Sequence, residues 1–288
     1  MKHHSPELEN RIIATHQHHD DLNRWSMQSL RPPAVIADQI RSYCDYSEQT
    51  TSFNTRRELP HPEGVLIFNL GGDIEVVGGN GIAIRLKPGQ AFFAGPHLHP
   101  ALSRSPGFQA GIQIDLPMQA VRRIIGAPME QFVDQVVPLE NAAVGQQLCN
   151  APDMEQRIQL LDAYFTKALT QADPLDPRQL GALHLLRNRP KLDISDVATQ
   201  VGWSRKHLAD RVRDAVGVGP RCFRRLARFH SLTRSLTANT PTQWAETAAA
   251  HGYYDQSHMI REFHEFAALT PSEYMSRLLN NGGGLVEK

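Results

Sequence analysis

Few cysteines, few aromatics, no long apolar run and no net charge mark this chain, and each shortage excludes something. Three cysteines in 288 residues, Cys44, Cys149 and Cys222, stand far apart with no CxxC pair. That spacing argues against a disulfide framework or a zinc ribbon and fits a reducing compartment. No apolar run approaches the ~18–20 residues of a membrane-spanning helix, so no membrane partner is expected. Residues 1–21 are polar and His-rich, without the apolar stretch and small-residue cleavage site of a secretory signal, and the expectation is a cytoplasmic protein. GxSxG, a Walker loop and a GxGxxG set between strand and helix are also missing; Gly78-Gly79-Asn80-Gly81 reads as a hairpin turn. What is present, 41% hydrophobic and 21% charged residues, describes a globular chain of about two domains at ~100–200 residues each.

The neutral total, 30 basic against 30 acidic side chains, conceals two opposite halves. Residues 1–176 carry 14 basic and 20 acidic side chains, whereas residues 177–278 carry 15 and 9. Such asymmetry points to a module for polyanions beside one with a different task.

Texture divides the chain in the same place. The first sixty residues show no sustained period and read as arm, short strand and loop. From Gly64 onward, short β-branched or aromatic runs alternate with Gly71-Gly72, Gly78-Gly79-Asn80-Gly81 and Pro88-Gly89, which predicts a small antiparallel sandwich or barrel. After Pro117 the spacing turns helical: Val121, Ile124 and Ile125, then Met129, Phe132 and Val133, then residues 154–171, where Ile158, Leu161, Phe165 and Leu169 share a face. The expected domains are residues 1–172 (strand-rich over 40–115, helical over 117–172), a proline-punctuated linker at 173–177, and an all-helical unit at 178–279.

The helical unit repeats internally. Val197-Ala198-Thr199-Gln200-Val201-Gly202-Trp203 is echoed fifty residues later by Thr247-Ala248-Ala249-Ala250-His251-Gly252-Tyr253. Each copy places a small residue on one helix, a glycine four positions on, an aromatic, and then a second amphipathic helix. This is helix-turn-helix grammar: alanine admits close helix packing and glycine supplies the left-handed turn. Ser204 and Asp255 are suited to cap the second helices, whose Leu208, Val212, Met259 and Phe263 read as core. Between the copies, residues 220–236 predict one helix of about 25 Å, at ~1.5 Å per residue. That length can hold two reading helices in successive major-groove segments roughly 34 Å apart. Arg221, Arg224, Arg225 and Arg228 fall on one face of it, as a stripe for DNA phosphates.

Residues 177–278 resemble the double helix-turn-helix DNA-binding domain of the AraC/XylS family of bacterial transcription regulators. The resemblance is carried by Gly252-Tyr253-Tyr254-Asp255-Gln256-Ser257-His258-Met259-Ile260-Arg261-Glu262-Phe263 and Leu269-Thr270-Pro271-Ser272-Glu273-Tyr274. In the first copy Val212 stands where the family usually has Phe. The upstream half is similar to the N-terminal domain of one subset of these regulators, through residues 59–70 and 120–139. The resemblance implies a cupin-like antiparallel β-barrel that senses an effector or mediates dimerisation, followed by an all-α domain with two helix-turn-helix motifs joined by a linker helix. It implies base contacts from Arg205, Lys206, Ala209, Asp210 and Arg213 in the first copy, and from Gln256, Ser257, Ile260 and Arg261 in the second. Gln pairs bidentately with adenine and Arg with guanine, while Ala209 and Ile260 offer only apolar contact. The implied partners are double-stranded DNA, a small-molecule effector whose site residues are unknown, RNA polymerase for an activator, and optionally a second copy of the chain.

Enzymatic readings find little support. His97-Leu98-His99 is the sharpest candidate, because cupin metal sites open with such a pair. No carboxylate follows in Pro100-Ala101-Leu102-Ser103-Arg104 to complete a facial site, so neither metal nor cofactor is expected. The alternatives are a metal-dependent cupin enzyme with a DNA-binding-like tail, and an effector-independent regulator acting by protein contact.

Overall fold

The computed structural model describes residues 5–139, 142–172, 174, 176–236, 243–279 and 284–287. Asp173 and Leu175 of the expected linker lie outside the described residues.

Eleven strands are described: β1 Ile12–His19, β2 Asn23–Leu30, β3 Ser42–Thr50, β4 Thr55–Glu58, β5 Glu63–Asn69, β6 Ile74–Val77, β7 Ala83–Leu86, β8 Ala91–Ala94, β9 Ala101–Arg104, β10 Phe108–Pro117 and β11 Val136–Leu139. They form a seven-stranded sheet in the order β1-β2-β3-β10-β5-β8-β11 and a four-stranded sheet in the order β4-β9-β6-β7. Of the expected sandwich or barrel, the strands form the sandwich: the cupin-like barrel that the resemblance implies is not closed. Every strand of the small sheet has four residues, a reach of only ~13 Å at ~3.3 Å per residue, and none of them pairs with a strand of the large sheet. The chain stacks two open sheets instead.

The first sixty residues are more regular than the expected arm and loop. β1 and β2 pair as an antiparallel hairpin at the edge of the large sheet. β1 is mostly exposed, so an apolar alternation never developed in its sequence; β2 anchors the hairpin through buried Trp25 and Leu30. The Gly78–Gly81 segment turns between β6 and β7, which pair antiparallel, as expected.

Helices cover the other face of the large sheet. After α1 (Pro6–Glu9) they are α2 (Met118–Ile125), α3 (Ala142–Asn150) and α4 (Met154–Gln171). Around Met129 the expected helix shrinks to a 3-10 turn, Met129–Phe132, followed by β11; Pro128 before the turn and Pro138 beyond it interrupt helical hydrogen bonding. α4 spans the residues its period predicts, and Ile158, Leu161, Phe165 and Leu169 are buried against the sheet.

The remainder is helical: α5 (Pro177–Asn188), α6 (Ile194–Gln200), α7 (Arg205–Val216), α8 (Pro220–Ser235), α9 (Trp244–Ala250), α10 (Gln256–Ala267) and α11 (Pro271–Arg277). The apolar core does not stop at the expected linker. One cluster runs from Leu8 through the sheet and α4 to Val197, Leu208, Val212 and Phe223. Gly217 approaches so closely that a Cβ there would meet Pro96 Cγ at 2.3 Å. The second repeat has its own cluster, with Phe229, Met259, Phe263 and Leu285. Beyond the last helix, Val286 pairs with Arg56 and Arg57 binds Glu287, Nη2 to Oε1 at 2.7 Å, so the tail borders β4. Among the described residues no helix is long and apolar enough to cross a membrane.

Candidate nucleic-acid interface and interior cavity

Each repeat builds the same local object. α6 and α9 bury Ala198 and Ala248, and the turns pass through Gly202 and Gly252 at φ +70° and +75°, the left-handed region that a Cβ penalises. Ser204 Oγ then accepts from the His207 N–H at 3.1 Å, and Asp255 Oδ1 from the His258 N–H at 2.7 Å. Both expected caps are therefore present, and both second helices start with a donor satisfied. Leu208, Val212, Met259 and Phe263 are fully buried.

Of the residues expected to read bases, Arg205, Lys206, Asp210, Arg213, Gln256, Ser257 and Arg261 are exposed, and Ala209 and Ile260 are half-buried. Those of α7 share one face and those of α10 another. Arg213 is shared internally: its guanidinium lies 3.6 Å from Asp210 and 3.9 Å from Glu130, which belongs to the N-terminal half. Tyr254, just before α10, is 92% exposed and was not singled out in the sequence.

The arginine stripe on α8 is not a uniform solvent face. Arg221 is exposed. Arg225 Nε donates to Glu262 Oε2 at 2.8 Å, and Arg228 Nε donates to Glu262 Oε1 at 3.0 Å. Glu262 is 2% exposed, so one buried carboxylate ties α8 to α10 through two arginines. Arg225 also pairs with Glu265. Arg224 is half-buried, with Nε and Nη2 unpartnered, and burial lowers its pKa. Glu262 lies three residues after Met259 and four before Phe266, on the apolar face of its helix, but a carboxylate is ordinarily read as a surface residue.

Between the two sheets lies a cavity of about 400 Å³. Alternation explains its lining. On β10 the apolar residues Ile112, Ile114 and Leu116 face the helices, while Gln109, Gln113 and Asp115 face the cavity. The polar alternates are thus inside, since both faces of this sheet are covered. Elsewhere the inter-sheet layer is apolar, with Ile74, Val76, Leu86, Phe92 and Val136.

The cavity wall also touches the helical half. Glu63 pairs with Arg187 of α5. The ring of His61 lies 5.7 Å from that of His230 on α8. Burial lowers the pKa of His61, and that of His230 to about 4, with the neighbouring ring and the Arg234 and Arg187 cations adding to the latter shift. Gly284 of the tail completes part of the lining.

His97 and His99 have different hydrogen-bond partners. His97 is 6% exposed and its Nδ1 donates to the Gly95 carbonyl at 2.7 Å, whereas His99 is exposed and its Nδ1 lies 2.9 Å from Asp134 Oδ2. Among the described residues no group of three or more His, Cys, Asp or Glu side chains is placed to hold a metal ion.

Residues 197–277 match the family model of a helix-turn-helix domain. Among curated proteins nothing matches. Wild-type ToxT from Vibrio cholerae strain SCE256, solved with unsaturated fatty acid bound, is similar at TM-score 0.51 and 12% identity, over 94% of this chain and 99% of that one. ToxT from Vibrio cholerae O395 gives 0.49 and 12%, over 79% and 97%. The AraC-like transcriptional activator CuxR gives 0.35 and 14%, over 74% and 81%. At these identities the likeness concerns the fold, and the first of the three carries it.

Proposed function

We propose that this chain is a sequence-specific DNA-binding transcription regulator whose N-terminal half takes a small-molecule effector into the cavity between its sheets. The observation that carries the reading is the pair of helix-turn-helix units, each with the same glycine turn, the same side-chain cap and an exposed polar face on its second helix. Gln256 and Arg261 are assigned direct readout of adenine and guanine. Arg205, Lys206, Ala209, Asp210 and Arg213 serve the first half-site, with Ser257 and Ile260 beside Gln256 in the second. Phosphate contact on α8 falls first to Arg221. Arg224 borders it, and Arg225 and Arg228 divide their charge between DNA and Glu262. No catalytic residue is assigned. One chain holds both readers, so a homodimer is optional, and RNA polymerase is a partner only for an activator.

The effector half of the reading rests on a roomy, largely apolar cavity with a cluster of polar groups in a sheet sandwich, and the similar Vibrio cholerae structure with its bound fatty acid supports a small-molecule role. An effector acts only through differential affinity for DNA-competent and incompetent arrangements. His61 and Glu63 each face the cavity on one side and a helix of the DNA-binding half on the other, which makes them the shortest route for that difference.

Selection from a randomised duplex pool at two salt concentrations tests the assignment. The expected result is two short motifs about one helical turn apart, only one of which blurs in the Gln256→Ala, Arg261→Ala double variant. Salt-sensitive binding without an enriched motif in either protein would leave only a basic surface and reject the reading.

A further inference from the structure

Resting on the effector reading above, the lining of the cavity indicates the chemistry of what enters it. Four carboxylates face the space, Glu48, Glu58, Glu63 and Asp115, against one permanent cation, Arg56. Arg56 Nε donates to Glu48 Oε1 at 3.3 Å, and the two side chains are 11% and 5% exposed, so they neutralise each other. Glu63 is met by Arg187 and, at 3.9 Å, by Arg41. Among the described residues Asp115 receives only neutral side-chain donors, Ser42 Oγ at 3.0 Å and Gln113 Nε2 at 2.8 Å. Glu58 is exposed, lines the mouth of the same space, and desolvation raises its pKa. Glu58 shares the Arg56 cation with Glu48, which offsets its desolvation only in part, and Asp115 has no paired cation among the described residues.

His97 supplies independent evidence for a ligand with hydrogen to donate. Its Nδ1 is spent as donor to the Gly95 carbonyl. Burial lowers its pKa, so the ring is neutral and Nε2 is an acceptor. That Nε2 is buried with no partner, in a side chain 6% exposed that lines the cavity. Glu63 Oε2 is likewise a buried acceptor without a partner. Arg56 Nη1 is the one orphaned donor of the lining among the described residues. Buried polar atoms are normally satisfied, and here the shortage is mainly of donors and of positive charge. The rest of the wall, including Val65, Ile67, Ile74, Val76 and Phe92, is apolar.

We propose that the effector is an amphipathic amine: a protonated amino group held by Asp115, which has no paired cation, or by Glu58, which shares one, and donating toward His97, on an apolar body that lies along the valine, isoleucine and phenylalanine wall. An ammonium relieves the desolvated carboxylate and fills an orphaned acceptor at once. A carboxylate of the same shape would meet the like charges of Asp115 and Glu58 and find as cation only Arg56, which is already paired with Glu48.

Three isosteric probes, 4-phenylbutylamine, 4-phenylbutanol and 4-phenylbutyrate, test this by calorimetric titration into the full chain at neutral pH. The amine is expected to bind with one site and at least tenfold more tightly than the alcohol, and the carboxylate to give no saturable heat. Glu58→Gln and Asp115→Asn, which keep shape and remove charge, are expected to weaken the amine tenfold or more in at least one case. In the unliganded protein Glu58→Gln should raise the melting temperature, since a desolvated charge disappears; a structural role would lower it. Binding of phenylbutyrate as tight as that of the amine, amine binding unaltered in both variants, or no binding of any probe would each overturn the proposal. DNA selectivity measured on the same preparation separates the readings: if it persists while the amine fails, only the effector class falls, and if it is absent the regulator reading falls by itself.

Discussion

At the scale of single residues, Glu262 organises the second reader. A carboxylate 2% exposed, held by Arg225 and by an Arg228 that is itself only 12% exposed, differs from a surface ion pair: removing it leaves a buried guanidinium uncompensated. Glu262→Ala is expected to cost about 3–5 kcal/mol in urea unfolding, with Glu262→Gln costing less because two hydrogen bonds survive in altered form. A loss below about 1 kcal/mol would place the pair in the class of solvent-screened surface bridges. The contrast with Phe263, one position on, shows what sequence can reveal. An aromatic at the core position of an amphipathic helix is read correctly from spacing, whereas a buried carboxylate looks like any other charge until its partners on α8 are in place.

At the scale of elements, the caps were legible and the sheets only partly so. Ser204 and Asp255 act locally, on N–H groups three residues away, and local chemistry leaves a local trace. Asp255→Ala is expected to destabilise the protein by about 1 kcal/mol, seen as faster amide exchange over the first turn of α10, with Asp255→Asn close to neutral. The strands of the N-terminal half were found by their turns, but their pairing was not. Alternation on β10 separates Gln109, Gln113 and Asp115 from Ile112, Ile114 and Leu116, and by itself it assigns the polar set to water. Only the small sheet, built from β4, β6, β7 and β9, turns that face into a cavity. The edge hairpin β1–β2 was missed for a related reason: a strand exposed along most of its length needs no apolar period.

At the scale of the whole molecule, the two halves are joined by contacts that sequence separation hides, Arg122 with Asp214, Glu63 with Arg187, Arg57 with Glu287, and His61 with His230. The histidine pair gives this joint a pH signature. In the folded chain burial holds both rings neutral, His230 with a pKa of about 4 against an ordinary 6.5. The unfolded chain therefore takes up protons first as pH falls. Stability is full above about 6.5 and declines as pH drops toward about 4, the slope following the protons bound by the unfolded state. Thermal melts should show that decline, and His230→Phe should make it shallower; an unaltered slope would mean that the ring is already solvated.

The bipartite reader is the claim from which the rest follows, and it is tested most directly by a crossed measurement on the selected duplex. Each half-site is scrambled in turn, and fluorescence anisotropy compares the wild type with the Gln256→Ala, Arg261→Ala double variant. The account predicts that the wild type loses affinity for both scrambled duplexes, by about 1–3 kcal/mol for each bidentate contact removed. The variant should lose affinity for one and be indifferent to the other. Equal tolerance of both scrambled duplexes by the wild type, or equal sensitivity of the variant to both, would contradict it.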